Sequence, residues 1–481
     1  MQKNSNPIIL SLGGRVAELV YAYVSEAYPA RVGSSSLPAP TNFMKNYKEY
    51  FKGKKVTMLG LGLLGRGLND AKFLSECGAD LTITDLKTAE QLKPTLDKLK
   101  KYKSIKYVLG KHRLEDFQKC DFVLKSAGVP LDSIYIEEAK ENNIPVEMDE
   151  SLFTKLAPEV CVVGITGTRG KTTTTYLIYE ILKKAFGKKV YLGGNIKGLA
   201  TLPLLKKVKA GDIVVMELSS WQLQGFGEAK ISPHLSVFTN LMNDHLNYYK
   251  GSVEKYFDDK KYIYKNQREE DFLIIGEGME EKIGNIKSKK LIAKKDSISL
   301  DWDLKIKGEH NLENISCAVS VARIFGIDEK IIKKIVCNFA GVEGRQEFLR
   351  EYKGVKIYND TTATTPDATI VALKSLGDKT DKNIVLIMGG ADKTLDMSEL
   401  VNEIPKYCKK VILLSGTGTE KIKGKIDGIG VESLSEAVLE ALNGVKKGEI
   451  LLFSPAFASF GMFKNEFDRG EQFIKIIKKL K

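Results

Sequence analysis

Short apolar runs ending in glycine or a polar residue recur along the chain, and most are followed by a stretch with helical spacing. Val56-Thr57-Met58-Leu59-Gly60, Asp80–Asp85, Asp121–Lys125, Val160–Ile165, Ile213–Met216 and His234–Asn240 have the length and β-branched content of buried strands. Tyr176–Lys184 and Val253–Lys265 carry apolar residues three and four apart and predict helices. After residue 345 the pattern continues, with strands expected at Val355–Tyr358, Ile384–Met388, Val411–Leu414 and Glu449–Phe453 and helical patterns between them. Alternation of this kind predicts an α/β fold of parallel sheets with helices on both faces.

The 481 residues suggest about three domains. Residues 1–45 read as an N-terminal appendage and linker, ending in Ser34-Ser35-Ser36-Leu37-Pro38-Ala39-Pro40. The remainder divides at 46–151, 152–344 and 345–481. The first and last of these are expected to be Rossmann-like and the middle one an ATPase-type domain. With 43% apolar residues the chain has ample core. No run reaches the roughly 18 uninterrupted apolar residues of a membrane span, and Arg15 and Glu18 make the N-terminal apolar stretch a poor signal peptide. Six scattered cysteines without a C-x-x-C pair fit a reducing cytoplasm. The net charge is +13, but the basic residues are dispersed without interleaved aromatics, so no nucleic-acid partner is expected.

Several features carry candidate chemistry. Gly60-Leu61-Gly62-Leu63-Leu64-Gly65 follows a strand and opens a helix, with Asp85 at the end of the next strand, 20 residues after Gly65. This is a dinucleotide-binding fingerprint in its βαβ setting. The unit is short, which favours a nucleotide-diphosphate site over a dinucleotide one. Ser126-Ala127-Gly128 would add a second loop at the same sheet edge. Thr166-Gly167-Thr168-Arg169-Gly170-Lys171-Thr172-Thr173 lies between a strand and a helix, as a phosphate-binding loop does. There Lys171 reaches the outer phosphates and the Thr172 hydroxyl can hold Mg²⁺. Glu217, at the end of a neighbouring apolar strand, is placed to hold Mg²⁺ directly or through water. Asp244-His245 ends another strand, and His245 can complete a metal or substrate shell. Lys260 falls on the stripe of Tyr256, Phe257, Ile263 and Tyr264, where a cation is costly unless paired or chemically altered; Lys261 is less central. In the last unit, strand ends at Asn359–Pro366, Gly389–Lys393 and Ser454–Ser459 bring polar side chains to one sheet edge.

These motifs, together with Gly193-Gly194-Asn195-Ile196, Glu217–Leu223, Gly308–Asn314, Gly344-Arg345, Phe463-Lys464-Asn465 and Arg469-Gly470, occur in the order found in the Mur ligases. From Phe51 to the C-terminus the chain resembles that family, and its D-glutamate-adding branch most. The resemblance implies three α/β domains. It also implies ATP-dependent addition of D-glutamate to UDP-N-acetylmuramoyl-L-alanine through an acyl phosphate, in peptidoglycan precursor synthesis, by a cytoplasmic enzyme expected to be a monomer. The alternative is a sister ligase adding another amino acid. A nicotinamide dehydrogenase would leave the Lys171 loop without a role, and a phosphate-loop switch protein would leave the last unit's loops without one.

By the same resemblance, ATP is held by Gly167, Thr168, Arg169, Gly170, Lys171, Thr172, Thr173, Asn311, Asn314, Arg345 and Asp360. Gly62, Leu63, Leu64, Gly65, Asp85, Ser126, Gly128 and Asn195 take the UDP substrate. Thr364, Lys393 and Ser459 take the incoming amino acid. Mg²⁺ is served by Thr172, Glu217, His245 and a carbamylated Lys260, and catalysis rests on Lys171, Glu217, His245 and Lys260. Three positions depart from the family pattern: Arg169 stands where that branch has Asn, Thr362 where it has Lys, and Glu466 where an aromatic is usual.

Overall fold

The computed structural model describes residues 47–63, 65–244 and 248–480. Leu64, His245 and the expected appendage over residues 1–45 lie outside the described residues. The chain forms two compact units. One holds everything described up to Leu300 together with Glu313–Val336; the other holds Asp301–Leu312 and the residues from Cys337 onward.

The first unit contains two sheets. The first is built from β1 (Lys55–Leu59), β2 (Asp80–Asp85), β3 (Lys106–Leu109), β4 (Phe122–Lys125) and β5 (Val146–Glu147), in the order β3-β2-β1-β4-β5. The second comprises β6 (Cys161–Thr166), β7 (Val190–Gly194), β8 (Ile213–Glu217), β9 (Leu235–Phe238), β10 (Phe272–Gly276) and β11 (Lys289–Ala293), in the order β11-β10-β9-β6-β8-β7. Every pairing in both sheets is parallel. The central strands β6 and β8 are predominantly apolar and are buried along their whole length, as parallel strands covered on both faces are. Strand order reverses between β1 and β4 in the first sheet and between β6 and β9 in the second. Ligands of open α/β sheets bind beyond the strand ends at such points. The glycine loop follows β1 and the phosphate loop follows β6, so the topology puts both motifs at switch points.

The second unit is a six-stranded sheet of β12 (Glu347–Tyr352), β13 (Val355–Asn359), β14 (Ile384–Gly389), β15 (Cys408–Leu414), β16 (Ile429–Val431) and β17 (Ile450–Phe453), ordered β12-β13-β17-β14-β15-β16. The expectation of parallel pairing fails at one edge, where β12 runs antiparallel to β13. A tight turn through Lys353 (φ 51°) and Gly354 (φ 80°) joins them as a hairpin. Apolar cores lie on both faces of this sheet, around Leu386 and Leu452 on one side and Phe453 and Phe473 on the other.

The helix expected over Val253–Lys265 is shorter, Val253–Lys261. Beyond it Ile263 and Tyr264 donate to residues three back, and the Tyr262 and Ile263 carbonyls accept from Ser232 and Ser236. Side chains of a neighbouring segment thus supply the bonds a continuing helix would have made.

Candidate active site

The phosphate loop is held from the end of β9. Thr168 Oγ1 accepts from Met242 N (2.9 Å), Asn240 Oδ1 accepts from Arg169 N (2.9 Å), and Thr239 Oγ1 donates to the Arg169 carbonyl (2.7 Å). Gly167 and Gly170 make this approach possible. A Cβ on Gly167 would stand 1.9 Å from Thr239 Oγ1, and one on Gly170, whose φ is 80°, would stand 2.0 Å from Asn314 Oδ1. Lys171 opens the helix Lys171–Phe186, and its Nζ donates to the carbonyls of Gly167 and Thr168, both at 3.0 Å. Thr172 and Thr173 occupy the first turn of that helix, where backbone N–H groups are free of intrahelical partners. Arg169, where the family pattern has Asn, is bound to Asp244 at 2.7 Å.

Two side chains beside the loop are unusual. Glu217 ends β8 and lies across from Ile165 of β6. It is 3% exposed. Its Oε1 accepts from Asn195 Nδ2 at 3.2 Å, while Oε2 is buried with no hydrogen-bond partner among the described residues. A buried carboxylate oxygen without a donor is costly, and a bound cation would satisfy it. Lys260 is 1% exposed. Its Nζ donates to Gly167 O (2.8 Å) and Thr166 Oγ1 (3.3 Å) and sits 4.7 Å from the centre of the Tyr256 ring. Burial, and after it the nearby Lys171 cation, hold this amine well below its ordinary 10.5. Lys261, by contrast, is half-buried and pairs with Asp258 at 2.8 Å. Among the described residues no three His, Cys, Asp or Glu side chains cluster as metal ligands. This fits Mg²⁺, which takes one or two protein carboxylates and completes its shell from phosphates and water.

In the first sheet Asp85 is turned into its own loop. Its carboxylate accepts from Leu61 N (2.9 Å), Gly62 N (3.1 Å) and Lys87 N (2.9 Å), so it shapes the turn at Gly62. Leu63 is half exposed at the loop tip, Gly65 begins the helix Arg66–Glu76, and Ser126 and Gly128 are exposed beyond β4. Asn195 follows β7, and its main-chain N–H also reaches Glu217 O at 2.7 Å.

In the second unit the three polar loops follow β13, β17 and β14, which are adjacent strands. Lys393 Nζ donates to Thr364 Oγ1 at 2.9 Å, and Ser459, next to the Ala391–Ala458 bridge, is buried. Asp360 is buried as well, accepting from Gln346 N (3.0 Å) and Ser454 Oγ (2.8 Å), and burial pushes its carboxyl up to about 7. Arg345 lies near enough to favour the charged form of Asp360. Thr362 Oγ1, at the position of the missing lysine, donates to Gly344 O (2.8 Å). Glu466 is the first residue of a helix capped by Asn465. Asn311 Nδ2 donates to Lys307 O at 2.8 Å within this unit. Asn314 belongs to the first unit, where its Oδ1 accepts from Thr174 Oγ1 at 3.3 Å.

Some residues of the site escape sequence reasoning. Lys125, 3% exposed at the end of β4, donates to the Val129 carbonyl at 2.7 Å and fastens the Ser126–Val129 loop; burial lowers its amine to about 8. Its signal was a lone lysine closing the apolar run Phe122–Leu124. Asp70, Asp149 and Glu150 are buried close to Arg66, which pairs with Glu150 at 3.4 Å. Asp70 and Asp149 share a hydrogen bond, and burial raises both carboxyls above the usual range. Nothing in the local pattern sets those acids apart from surface ones.

A phosphate loop at a switch point, beside a buried carboxylate one oxygen of which has no hydrogen-bond partner among the described residues, points to a nucleotide-binding α/β protein. The comparisons narrow it. The MurD-like N-terminal domain of Mur ligases matches residues 54–147, the Mur ligase middle domain 165–295, and the Mur ligase glutamate ligase domain 344–457. The UDP-N-acetylmuramoylalanine--D-glutamate ligase of Roseiflexus sp. (strain RS-1) is 35% identical over 467 residues, covering 88% of this chain and 98% of the relative. The protein of the same name from Borreliella afzelii (strain PKo) is 37% identical over 454 residues, covering 89% and 98%. The crystal structure of a MurF ligase from Thermotoga maritima in complex with ADP shares the fold at 21% identity, with a TM-score of 0.53 over 83% of this chain and 94% of that one. The chain belongs to the Mur ligase family. Both named relatives are of the D-glutamate-adding branch, so the sister-ligase alternative is not favoured. Among the described residues no helix is long and apolar enough to cross a membrane.

Proposed function

We propose that this chain joins D-glutamate to UDP-N-acetylmuramoyl-L-alanine with cleavage of ATP, a cytoplasmic step of peptidoglycan precursor synthesis, acting as a monomer. The carrying observation is Glu217 Oε2, buried beside the phosphate loop with no donor among the described residues. The substrate carboxylate attacks the γ-phosphorus and ADP leaves. The amino group of D-glutamate then attacks the acyl phosphate carbonyl, and the tetrahedral intermediate collapses to the amide with loss of phosphate. Lys171 and the loop amides orient the transferring group and face the charge that develops on it. Mg²⁺, held by Thr172, Glu217, His245 and the carbamate of Lys260, would neutralise phosphate oxygens. The carbamate is what the resemblance implies, and the burial that lowers the amine of Lys260 favours it: the amine would add CO₂ and release a proton, leaving an anion in place of a cation. The backbone carbonyl of Gly167 accepts from both Lys171 and Lys260, and so keeps the two amines together.

In the first sheet, the loops at Gly62–Gly65 and Ser126–Gly128, with Asp85 shaping the first, would take the UDP moiety, and Asn195 would stand between that substrate and Glu217. By the resemblance, Arg345, Asp360, Asn311 and Asn314 would also bind ATP, and Thr364, Lys393 and Ser459 would receive D-glutamate. The deciding experiment is ADP release by the purified chain on UDP-N-acetylmuramoyl-L-alanine, screened across D- and L-amino acids. Release that depends on D-glutamate is expected. Release that depends on another amino acid, or on none, overturns the reading.

A further inference from the structure

Arg66 immediately follows the glycine loop of the first sheet, yet its side chain reaches the loop after β7. One guanidinium nitrogen donates to the Gly194 carbonyl (3.1 Å) and to Asn195 Oδ1 (3.2 Å), and the other lies 3.4 Å from Glu150 Oε1. Asn195 then donates from Nδ2 to Glu217 Oε1 at 3.2 Å. The order of these contacts matters. A side-chain amide has one accepting and one donating end. The cation at Oδ1 fixes which end faces Arg66, so the donating end must face Glu217. With Oε1 held in this way, the carboxylate cannot rotate freely, and Oε2 is the oxygen left without a partner among the described residues. The helix that Arg66 opens is fastened to the same loop a second time, through Asn69 Nδ2 to the Gly198 carbonyl (3.0 Å).

We propose that Arg66 is a positioning residue that sets Glu217 for its metal through Asn195, so that the glycine loop of the first sheet and the metal side of the phosphate loop share one chain of hydrogen bonds. This rests on the reading of Glu217 as a metal-holding residue. Partners in the shell behind a metal ligand fix its orientation, and their removal typically costs about 10- to 100-fold in metal affinity. Arg is suited to the task because its planar fork serves Asn195 and Glu150 together, whereas the ammonium of Lys is a single point charge.

The test is Mn²⁺ binding to the full chain in the presence of ADP, followed by the loss of the free-ion electron paramagnetic resonance signal. Arg66→Met would leave Glu150 buried without its cation and risks the fold, so Arg66→Lys carries the experiment. It keeps a positive charge beside Glu150 while giving up the fork. Arg66→Lys is expected to weaken Mn²⁺ binding about tenfold with an unchanged melting temperature. In an Asn195→Ala background the same substitution should cause no further loss, since the route runs through that amide. Wild-type Mn²⁺ affinity in Arg66→Lys, or losses that multiply in the double variant, would overturn the proposal. Glu217→Gln separates the two levels. If it binds Mn²⁺ as the wild type does, the metal reading itself has failed. If it is impaired while Arg66→Lys is not, the metal reading stands and Arg66 has no part in it.

Discussion

Lys260→Met should make the protein more stable at neutral pH and nearly inactive. Methionine keeps the length of the side chain and removes the amine. What the fold loses is small. Gly167 O retains Lys171 Nζ as a donor at 3.0 Å, the bond to Thr166 Oγ1 is long at 3.3 Å, and the contact with the Tyr256 ring is worth about 0.5–2 kcal/mol. Against this stands the desolvation of the amine, which holds it well below 10.5 in the folded chain. Each pH unit of that depression corresponds to about 1.4 kcal/mol. The bonds and the ring contact that would be lost are few and weak, whereas burying an amine is costly, so the second effect wins. The sign follows from proton counting. Between the lowered native value and 10.5 the unfolded chain binds the extra proton, so wild-type stability rises with pH across that window by up to about 1.4 kcal/mol per unit. The methionine variant has no such slope. Its advantage should therefore be greatest at neutral pH and vanish as pH approaches 10.5. Paired urea titrations of the two proteins, in CO₂-free buffers from pH 7 to 10.5, measure the difference directly. A methionine variant less stable than wild type, or an advantage independent of pH, would refute the argument. The activity arm is independent: Lys260→Ala should be nearly inactive and partly restored by millimolar acetate, whereas Lys261→Ala, whose ion pair is at the surface, should lose little.

Lys171→Ala should lower kcat about 10²- to 10³-fold, the usual effect of removing one preorganised donor from a developing charge, with an unchanged melting temperature; more than a tenth of wild-type ADP release would sink the phosphate-loop assignment. Gly170→Ala puts a methyl group 2.0 Å from Asn314 Oδ1 at a φ of 80°, and should cost about 1–3 kcal/mol of backbone strain and weaken ATP binding; calorimetric ATP affinity equal to wild type would count against the crowding of that loop. The first sheet should bind UDP and not NADH, because its five strands make a unit too short for the two mononucleotide halves of a dinucleotide site; tight NADH binding by calorimetry would contradict this.

The phosphate loop and the strands before it were legible because they depend on local rules. A run such as Val160–Ile165 has the length and β-branched content of a buried strand, and glycines beside Lys171 suit close approach. The inward face of Lys260 was legible from helical spacing. The short antiparallel strand Glu347–Tyr352 was not, since its mixture of charged and apolar residues matches an edge exposed on one side as well as a loop. Nor was the role of Asp85. Spacing places an acid at the end of β2, but whether its carboxylate turns outward or back onto Leu61 and Gly62 is decided by the path of the loop. The reach of Arg66 to Asn195 spans 129 residues of chain, and no local pattern encodes it. Buried acids such as Glu150 are indistinguishable by type from surface ones until the cation and the Gln222 amide that compensate them are seen in place.

The hydrogen-bonded pair Asp70 and Asp149 has a calorimetric consequence. Burial raises both carboxyls above 3.8, so through the mildly acid range the folded chain holds a proton that the unfolded chain has given up. Folding there takes a proton from the buffer, and unfolding returns it. Stability attributable to this pair is present at low pH and declines as pH rises through the window. The heat of unfolding measured in that range contains the protonation enthalpy of whichever buffer takes up the proton. Two laboratories working at the same pH, one in phosphate and one in imidazole, would record different enthalpies for one and the same protein.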